Sequence, residues 1–334
     1  MGPTGSRTRQ LLPYAIAVLL AVVLVVVSIN RSEPSAAAQE LLDGEQMKIM
    51  APADPGGGWD STAREMQASL QELVGRTEVY NVGGAGGTIG LSNFRNLEGQ
   101  PSQLMVMGLV MVGAIAANES AVTLDEVTPI SELTTESLVI VVPGDSDIQT
   151  IDDLVAALEQ DVGEVSWAGG SAGGAEQILA GLIAQDLELD TADVNSIAHD
   201  GGGEAIATLL SGSATAGLSG VSEFLPQIES GDLRAIAVSG TEPVESLPDV
   251  PTLQDSGIDV ELTNWRGVVA PPGITDEERA ALIALVTDMT ESAAWDEALA
   301  RQGWTPSVKT GDEFSTFLDD EVARVNDVIA DLGL

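Results

Sequence analysis

Met47-Lys48-Ile49-Met50-Ala51-Pro52-Ala53-Asp54-Pro55-Gly56-Gly57-Gly58-Trp59-Asp60-Ser61 runs from an apolar strand pattern through a glycine loop into a helix-like pattern. In that pattern Ala63, Met66, Leu70 and Leu73 recur near helical spacing over residues 61–73. A second segment repeats the plan, with a strand at 79–82, then Gly83-Gly84-Ala85-Gly86-Gly87-Thr88-Ile89-Gly90, then a helix from near Thr88. Glycine lets backbone N–H groups approach a ligand with no intervening side chain, and a helix N-terminus adds unsatisfied donors at its positive end. An isolated glycine run reads as a tight turn. Two of them placed between strand and helix read instead as anion cradles for one ligand with more than one negative group.

Working outward, the alternation continues. Residues 104–107, 138–142, 164–168, 196–198, 214–218, 235–238 and 268–270 read as strands, and 151–158, 175–185, 204–210, 223–230 and a charged segment from Thr275 read as helices. This points to α/β architecture with mostly parallel sheets. Pro143-Gly144 is a break that suits a crossover between domains. Two more glycine clusters, Gly169-Gly170-Ser171-Ala172-Gly173-Gly174 and Gly201-Gly202-Gly203, follow strands in the second half. Ligands of open α/β sheets bind beyond the carboxyl ends of strands, so the two pairs of clusters are expected to face each other across a cleft.

The chain has 334 residues, 13 basic and 52 acidic, a net charge of −39 and no cysteine. Lacking cysteine, it has no disulfides, no thiolate chemistry, no cysteine-bound zinc and no cysteine-linked lipid anchor. The charge argues against nucleic acid and anionic membrane surfaces as partners. Most of these carboxylates read as a solvated coat, which is compatible with a small anionic ligand because salt screens surface charge beyond about 8–10 Å. No metal site and no cofactor motif is evident: Gly84-Ala85-Gly86-Gly87-Thr88-Ile89 places Ile89 where G-x-G-x-x-G needs glycine. At the N-terminus Arg7 and Arg9 precede an apolar stretch at 11–29 and then Ser35-Ala36-Ala37-Ala38. Residues 1–38 read as a secretory signal cut after Ala38 or, uncleaved, as a membrane anchor. Either places the rest outside the cytoplasm, in a periplasm or at the cell surface.

Five motifs in order carry a family resemblance: PADPGGGWDSTAR (52–64), NVGGAGGTIG (81–90), HDGGGEAIATLL (199–210), LPDVPTLQDSG (247–257) and the segment 265–271. Each is glycine-biased and weak alone, but from about Lys48 to the C-terminus they resemble the Bug-type substrate-binding receptors of tripartite tricarboxylate transporters. The PGGGWD and GGGE forms are most similar to the tricarboxylate, citrate-type branch. The resemblance implies a two-domain periplasmic-binding-protein clamshell, type II-like, with two crossover strands. It implies no enzymatic activity, no cofactor, and a monomer that captures a small di- or tricarboxylate and delivers it to integral-membrane permease subunits. Domain one is then 46–141 plus 267–334 and domain two 142–266, with hinges near Val142 and Arg266. Ligand carboxylates are implied to lie against Gly57, Gly58 and Trp59, against Gly86, Gly87 and Thr88, and against Gly170, Ser171 and Gly173 in the opposing domain. Family members often carry an acid near the cleft where this chain has Ser219 or Gly220, which implies a lost selector for amino or hydroxyl groups.

Other residues have plainer readings alongside these. Trp59 suits packing as well as ligand contact. Asp60 suits a helix cap better than an anion site. Arg64, a turn into its helix, suits a pair with an acid, which leaves Arg266 as the better cation for a third carboxylate. His199, the only histidine, suits packing at the cleft wall. The rival from another class is a serine hydrolase, since Gly169-Gly170-Ser171-Ala172-Gly173 satisfies G-x-S-x-G, with His199 as base and Asp186 or Asp193 as its partner. The short separation of Ser171 from His199 argues against it. A receptor feeding a sensor in place of a permease is equally compatible with the sequence.

Overall fold

The computed structural model describes residues 41–42, 45–199 and 202–333. The expected leader or anchor at 1–38 lies outside the described residues. The first half of the chain winds β1 (Met47–Ala51), α1 (Gly58–Val74), β2 (Thr77–Asn81), α2 (Thr88–Phe94), β3 (Gln103–Gly108), α3 (Leu109–Ala117) and β4 (Thr128–Thr135). A second winding follows: β5 (Leu138–Pro143), α4 (Ile151–Gln160), β6 (Ser166–Ala168), α5 (Ala175–Asp186), β7 (Asn195–Ile197), α6 (Gly202–Leu210), β8 (Ala216–Gly220), α7 (Val221–Ser230) and β9 (Leu233–Val238). The chain then returns through β10 (Arg266–Ala270), α8 (Asp276–Thr290), α9 (Ala293–Gln302), β11 (Thr305–Thr310) and α10 (Gly311–Asp331).

These strands form two sheets, ordered β11-β4-β10-β3-β1-β2 and β7-β6-β8-β5-β9, each the core of one lobe. The apolar stripe read in α1 is the face buried on the first sheet, with Ala63, Met66 and Leu70 wholly inaccessible. Among the named strands, parallel pairing is confined to β1 with β2 and β3, and to β6 with β7 and β8. The expectation of mostly parallel sheets is therefore corrected to mixed sheets. The reason is topological. The outgoing strand β4 and the returning strand β10 lie side by side and must run in opposite directions, and β5 likewise opposes β8 and β9.

The passages between the lobes are themselves paired. Glu136 N–H donates to the Asn264 carbonyl at 3.2 Å, Asn264 N–H donates to the Glu136 carbonyl at 2.8 Å, and Ser137 bridges Thr263. Since β5 pairs wholly within the second sheet, the outward passage lies at Glu136-Ser137 and not near Val142, while the return ends at Arg266. A third connection is non-covalent. At the end of α10 the Asp331 carboxylate accepts from Gln185 Nε2 at 3.0 Å, its carbonyl accepts from Thr191 Oγ1 at 2.7 Å, and Leu332 packs on Gly181 of α5. Among the described residues no helix is long and apolar enough to cross a membrane.

Candidate functional site

The first glycine loop is held by a carboxylate inside the helix it precedes. Gly57 is the N-cap of α1, so the helix starts ahead of the Asp60 cap expected from sequence. Asp60, 3% exposed, turns back: Gly56 N–H and Arg64 Nε donate to its Oδ2 at 2.8 and 2.9 Å, and Asn81 Nδ2 donates to its Oδ1 at 2.9 Å. Burial pushes this carboxyl upward, but the hydrogen bonds from Arg64, Asn81 and Gly56 outweigh it and hold the group below the usual carboxylate range. Asn81 also donates to the Ala53 carbonyl at 3.0 Å, which ties the first loop to the end of β2, where the second loop begins.

The second loop needs glycine where it turns. Gly84, Gly86 and Gly87 have φ of 117°, 59° and 88°, a region that disfavours side chains. Close packing adds a second reason at Gly87, where a Cβ would lie 2.7 Å from the Trp59 ring and 2.8 Å from Met111 Cε. Trp59, 8% exposed, is thus the packing aromatic that joins the two loops. Thr88, buried, donates to the Ala85 carbonyl at 2.9 Å. Gly57, Gly58, Gly86, Gly87 and Thr88 are thereby brought into one wall.

Arg266 completes that wall. It opens β10 at the end of the return passage, and its guanidinium lies over the N-terminus of α1, where a Cβ on Gly58 would be 2.9 Å from Nη2. The cation sits 4.9 Å from the Trp304 ring centroid and donates through Nη2 to Glu136 Oε2 at 2.9 Å. Both partners of this pair are 4% exposed, and Nη1 has no hydrogen-bond partner among the described residues. The remaining Glu136 oxygen, Oε1, accepts from Ser222 Oγ at 2.7 Å, in the first turn of α7. One buried ion pair on the paired passages therefore touches both lobes.

The opposing wall is the third glycine loop. It is closed by Gly174 N–H on the Ser171 carbonyl at 2.8 Å and by Gly173 N–H on Gln177 Oε1 at 2.9 Å. Gly173 lies against Gly113 and Ala117 of α3 so tightly that a Cβ on Gly113 would overlap the Gly173 carbonyl. Ser171 Oγ lies 3.9 Å from the position of a Cβ on Gly86, so the loops of the two lobes meet face to face. The Glu176 carboxylate folds back onto this loop, with Oε2 2.6 Å from where a Cβ on Gly170 would stand. Burial, chiefly, together with Glu223 and Glu136, pushes that carboxyl up to about 7 against the pull of its own backbone N–H and, less, of Arg266. Ser219, 3% exposed, donates to Glu223 Oε2 at 3.0 Å. A carboxylate one helical turn later therefore stands within hydrogen-bond reach of Ser219, beside the position where the resemblance implies a lost acid.

His199 serves this loop. Its N–H donates to the Gly170 carbonyl at 3.0 Å, Nδ1 lies 3.0 Å from the Gly169 carbonyl, and Nε2 lies 2.8 Å from Thr208 Oγ1. A carbonyl only accepts, so Nδ1 carries a proton. Both ring nitrogens are engaged away from Ser171. The ring partners are a carbonyl and a hydroxyl and not Asp186 or Asp193, and Asp186 accepts from the Asp259 N–H at 3.2 Å, so the suggested serine, histidine and aspartate are not assembled as a triad. Glu136, Glu176, Glu223 and Trp304 were missed by sequence reasoning. Only Glu176, directly after a glycine loop, and Glu223, four residues beyond Ser219, carried any local signal.

Chemically, the first wall offers N–H donors, a helix N-terminus and a guanidinium, and the second offers a glycine loop crowded by carboxylates. Among the described residues no group of three or more His, Asp or Glu is arranged to hold a metal ion. The curated protein BugT of Bordetella pertussis is 29% identical over 298 residues, spanning 86% of this chain and 89% of BugT. MatC of Rhodopseudomonas palustris, solved with bound malate, superposes with a TM-score of 0.72 at 22% identity over 85% of this chain and 98% of its own. Another R. palustris protein, solved with adipate, gives 0.74 at 20% identity over 86% of this chain and 97% of its own. Residues 62–334 match the tripartite tricarboxylate transporter family receptor, and the chain belongs to that family of periplasmic solute-binding receptors.

Proposed function

We propose that this receptor captures a small di- or tricarboxylate between its lobes outside the cytoplasm and delivers it to the membrane permease of a tripartite tricarboxylate transporter, without enzymatic activity. The observation that carries the reading is Arg266, which is buried over the N-terminus of α1 with Nη1 unpartnered. A desolvated guanidinium donor beside a helix N-terminus suits a carboxylate. A charge-assisted hydrogen bond contributes about 1.5–3 kcal/mol and a helix terminus up to about 2, so four or five such contacts sustain micromolar binding after ordering costs. Gly57, Gly58, Gly86, Gly87 and Thr88 are the lobe-one contacts in this reading, and Gly170, Ser171 and Gly173 close over the ligand. Trp59, Asp60, His199 and Ser219 shape the loops. The lobes divide at Glu136-Ser137 and ahead of Arg266, and these passages act as the hinge.

The malate and adipate held by two structural relatives support a carboxylate ligand, and the citrate-type motif forms put citrate and tricarballylate first among those to test. Calorimetry of the purified chain against citrate, tricarballylate, malate, succinate and glutamate tests the reading. Binding heat and thermal stabilisation by at least one of them are expected, and silence from all at millimolar concentration rejects it.

A further inference from the structure

Behind the third glycine loop, under the first turn of α5, the second lobe encloses a small cavity lined by Trp167, Gly170, Ser171, Glu176, Ser196 and Leu218 among others. Ser171 belongs both to this cavity and to the face that meets Gly86 across the lobes, so the cavity lies directly off the cleft. Its polar lining is unusual. Trp167 is 2% exposed, yet its indole N–H has no partner, and the buried Ser196 hydroxyl has none either, among the described residues. Buried donors without partners are rare, and each costs about 1–3 kcal/mol unless something fills the site. Glu176 also lines the wall, beside Ser171 and Gln177.

We infer that this cavity is a hydroxyl-selecting subsite, which on the carboxylate-receptor reading makes the ligand a hydroxycarboxylic acid. The assignment follows from what each lining group is able to do. An indole N–H only donates, a serine hydroxyl both donates and accepts, and the Glu176 carboxyl, in either of its protonation states, can accept. A ligand hydroxyl satisfies all three, since it accepts from Trp167 and from Ser196 and donates to Glu176. An ammonium leaves the Trp167 N–H orphaned. A ligand carboxylate sets a second negative charge against Glu176, where Glu136 and Glu223 already weigh on that group. Size agrees, because the cavity has room for about one water-sized group, which fits a hydroxyl and not a carboxylate. Recognition that leaves a buried polar group unpaired when the hydroxyl is missing is the kind that discriminates strongly between isosteres.

The test is calorimetry on matched pairs, malate against succinate and citrate against tricarballylate, with aspartate as the ammonium analogue of malate. The wild-type chain is expected to hold the hydroxy acid at least tenfold more tightly than its deoxy partner in one pair, and malate more tightly than aspartate. Trp167→Phe and, with less risk to packing, Ser196→Ala are expected to shrink that ratio several-fold, and thermal melts report whether each variant is folded. Equal affinities for the members of both pairs in the wild-type chain overturn the inference while leaving the carboxylate receptor standing. A ratio unchanged in a folded Ser196→Ala or Trp167→Phe variant also overturns it. Absence of binding by every acid overturns the receptor reading itself.

Discussion

The two walls of the cleft are built from the same motif and end with opposite character. In the first lobe a glycine loop leads into α1, the acid in the first turn is Asp60, and that carboxylate is drawn back behind the loop by Gly56, Asn81 and Arg64. The helix N-terminus is left to Arg266 and to whatever Arg266 attracts. In the second lobe a glycine loop leads into α5, the acid in the first turn is Glu176, and its carboxylate lies over the loop itself. An acid in the first helical turn is thus held below the usual carboxylate range on one side, and pushed up to about 7 on the other. A strand–glycine–helix unit is thus a scaffold whose charge preference is decided by which donors reach the first-turn acid.

The largest expected effect comes from removing the cation that distinguishes the first wall. Arg266→Gln leaves Glu136 as a buried charge without its partner, and a loss of about 3–5 kcal/mol is expected in urea unfolding, against less than about 1 kcal/mol if the pair were surface-like. Next comes the pH behaviour of the two acids. Glu176, raised in the folded state from an ordinary 4.5, makes folding less favourable as pH rises from about 4.5 to about 7. Glu176→Gln is expected to flatten the stability profile in that window. Asp60 has the opposite sign, since its lowered value gives stability that is present above the ordinary carboxylate range and lost as pH falls through its folded value. Asp60→Asn is therefore expected to remove an acid-side decline. Profiles that change in the same direction for both variants contradict the contrast between the walls.

Smaller effects test how the walls meet. Gly113→Ala places a methyl against the Gly173 carbonyl, so closure is expected to weaken and the affinity for the bound acid to fall about tenfold, or about 1.4 kcal/mol. Small-angle scattering should show the variant more open. The smallest effect is at Gly203 in α6, where a Cβ meets nothing within 4 Å and φ is ordinary. Gly203→Ala is expected to stabilise by about 0.5–1 kcal/mol through helix propensity alone, without altering affinity.

What the sequence disclosed follows from where local pattern decides structure. The strand β1 and the stripe of Ala63, Met66 and Leu70 on α1 were legible because alternating elements and apolar spacing act within a few residues. The strand β4 was not: Thr128-Pro129-Ile130-Ser131-Glu132-Leu133-Thr134-Thr135 carries a proline and several polar residues. It is a strand because β10 and β11 flank it, a long-range fact. The edge strand β11, Thr305–Thr310, is polar and largely accessible and was hidden for the same reason. At the site, the glycine loops were readable one by one. The Glu136–Arg266 pair was not, because it joins residues brought together only when the outward and return passages pair. Nor does any local signal separate the fold of Glu176 over its glycine loop from the withdrawal of Asp60 behind its own.

The most direct test of the contrast is a calorimetric titration of wild-type chain and Gly58→Ala with malate, or with whichever acid of the panel binds most tightly. A Cβ at Gly58 stands 2.9 Å from Arg266 Nη2 at the head of α1, where alanine is no threat to the helix itself. If the first wall holds the anion, the wild-type chain binds with micromolar affinity and Gly58→Ala binds at least tenfold more weakly while melting at a similar temperature. Unchanged affinity in the variant would contradict the account.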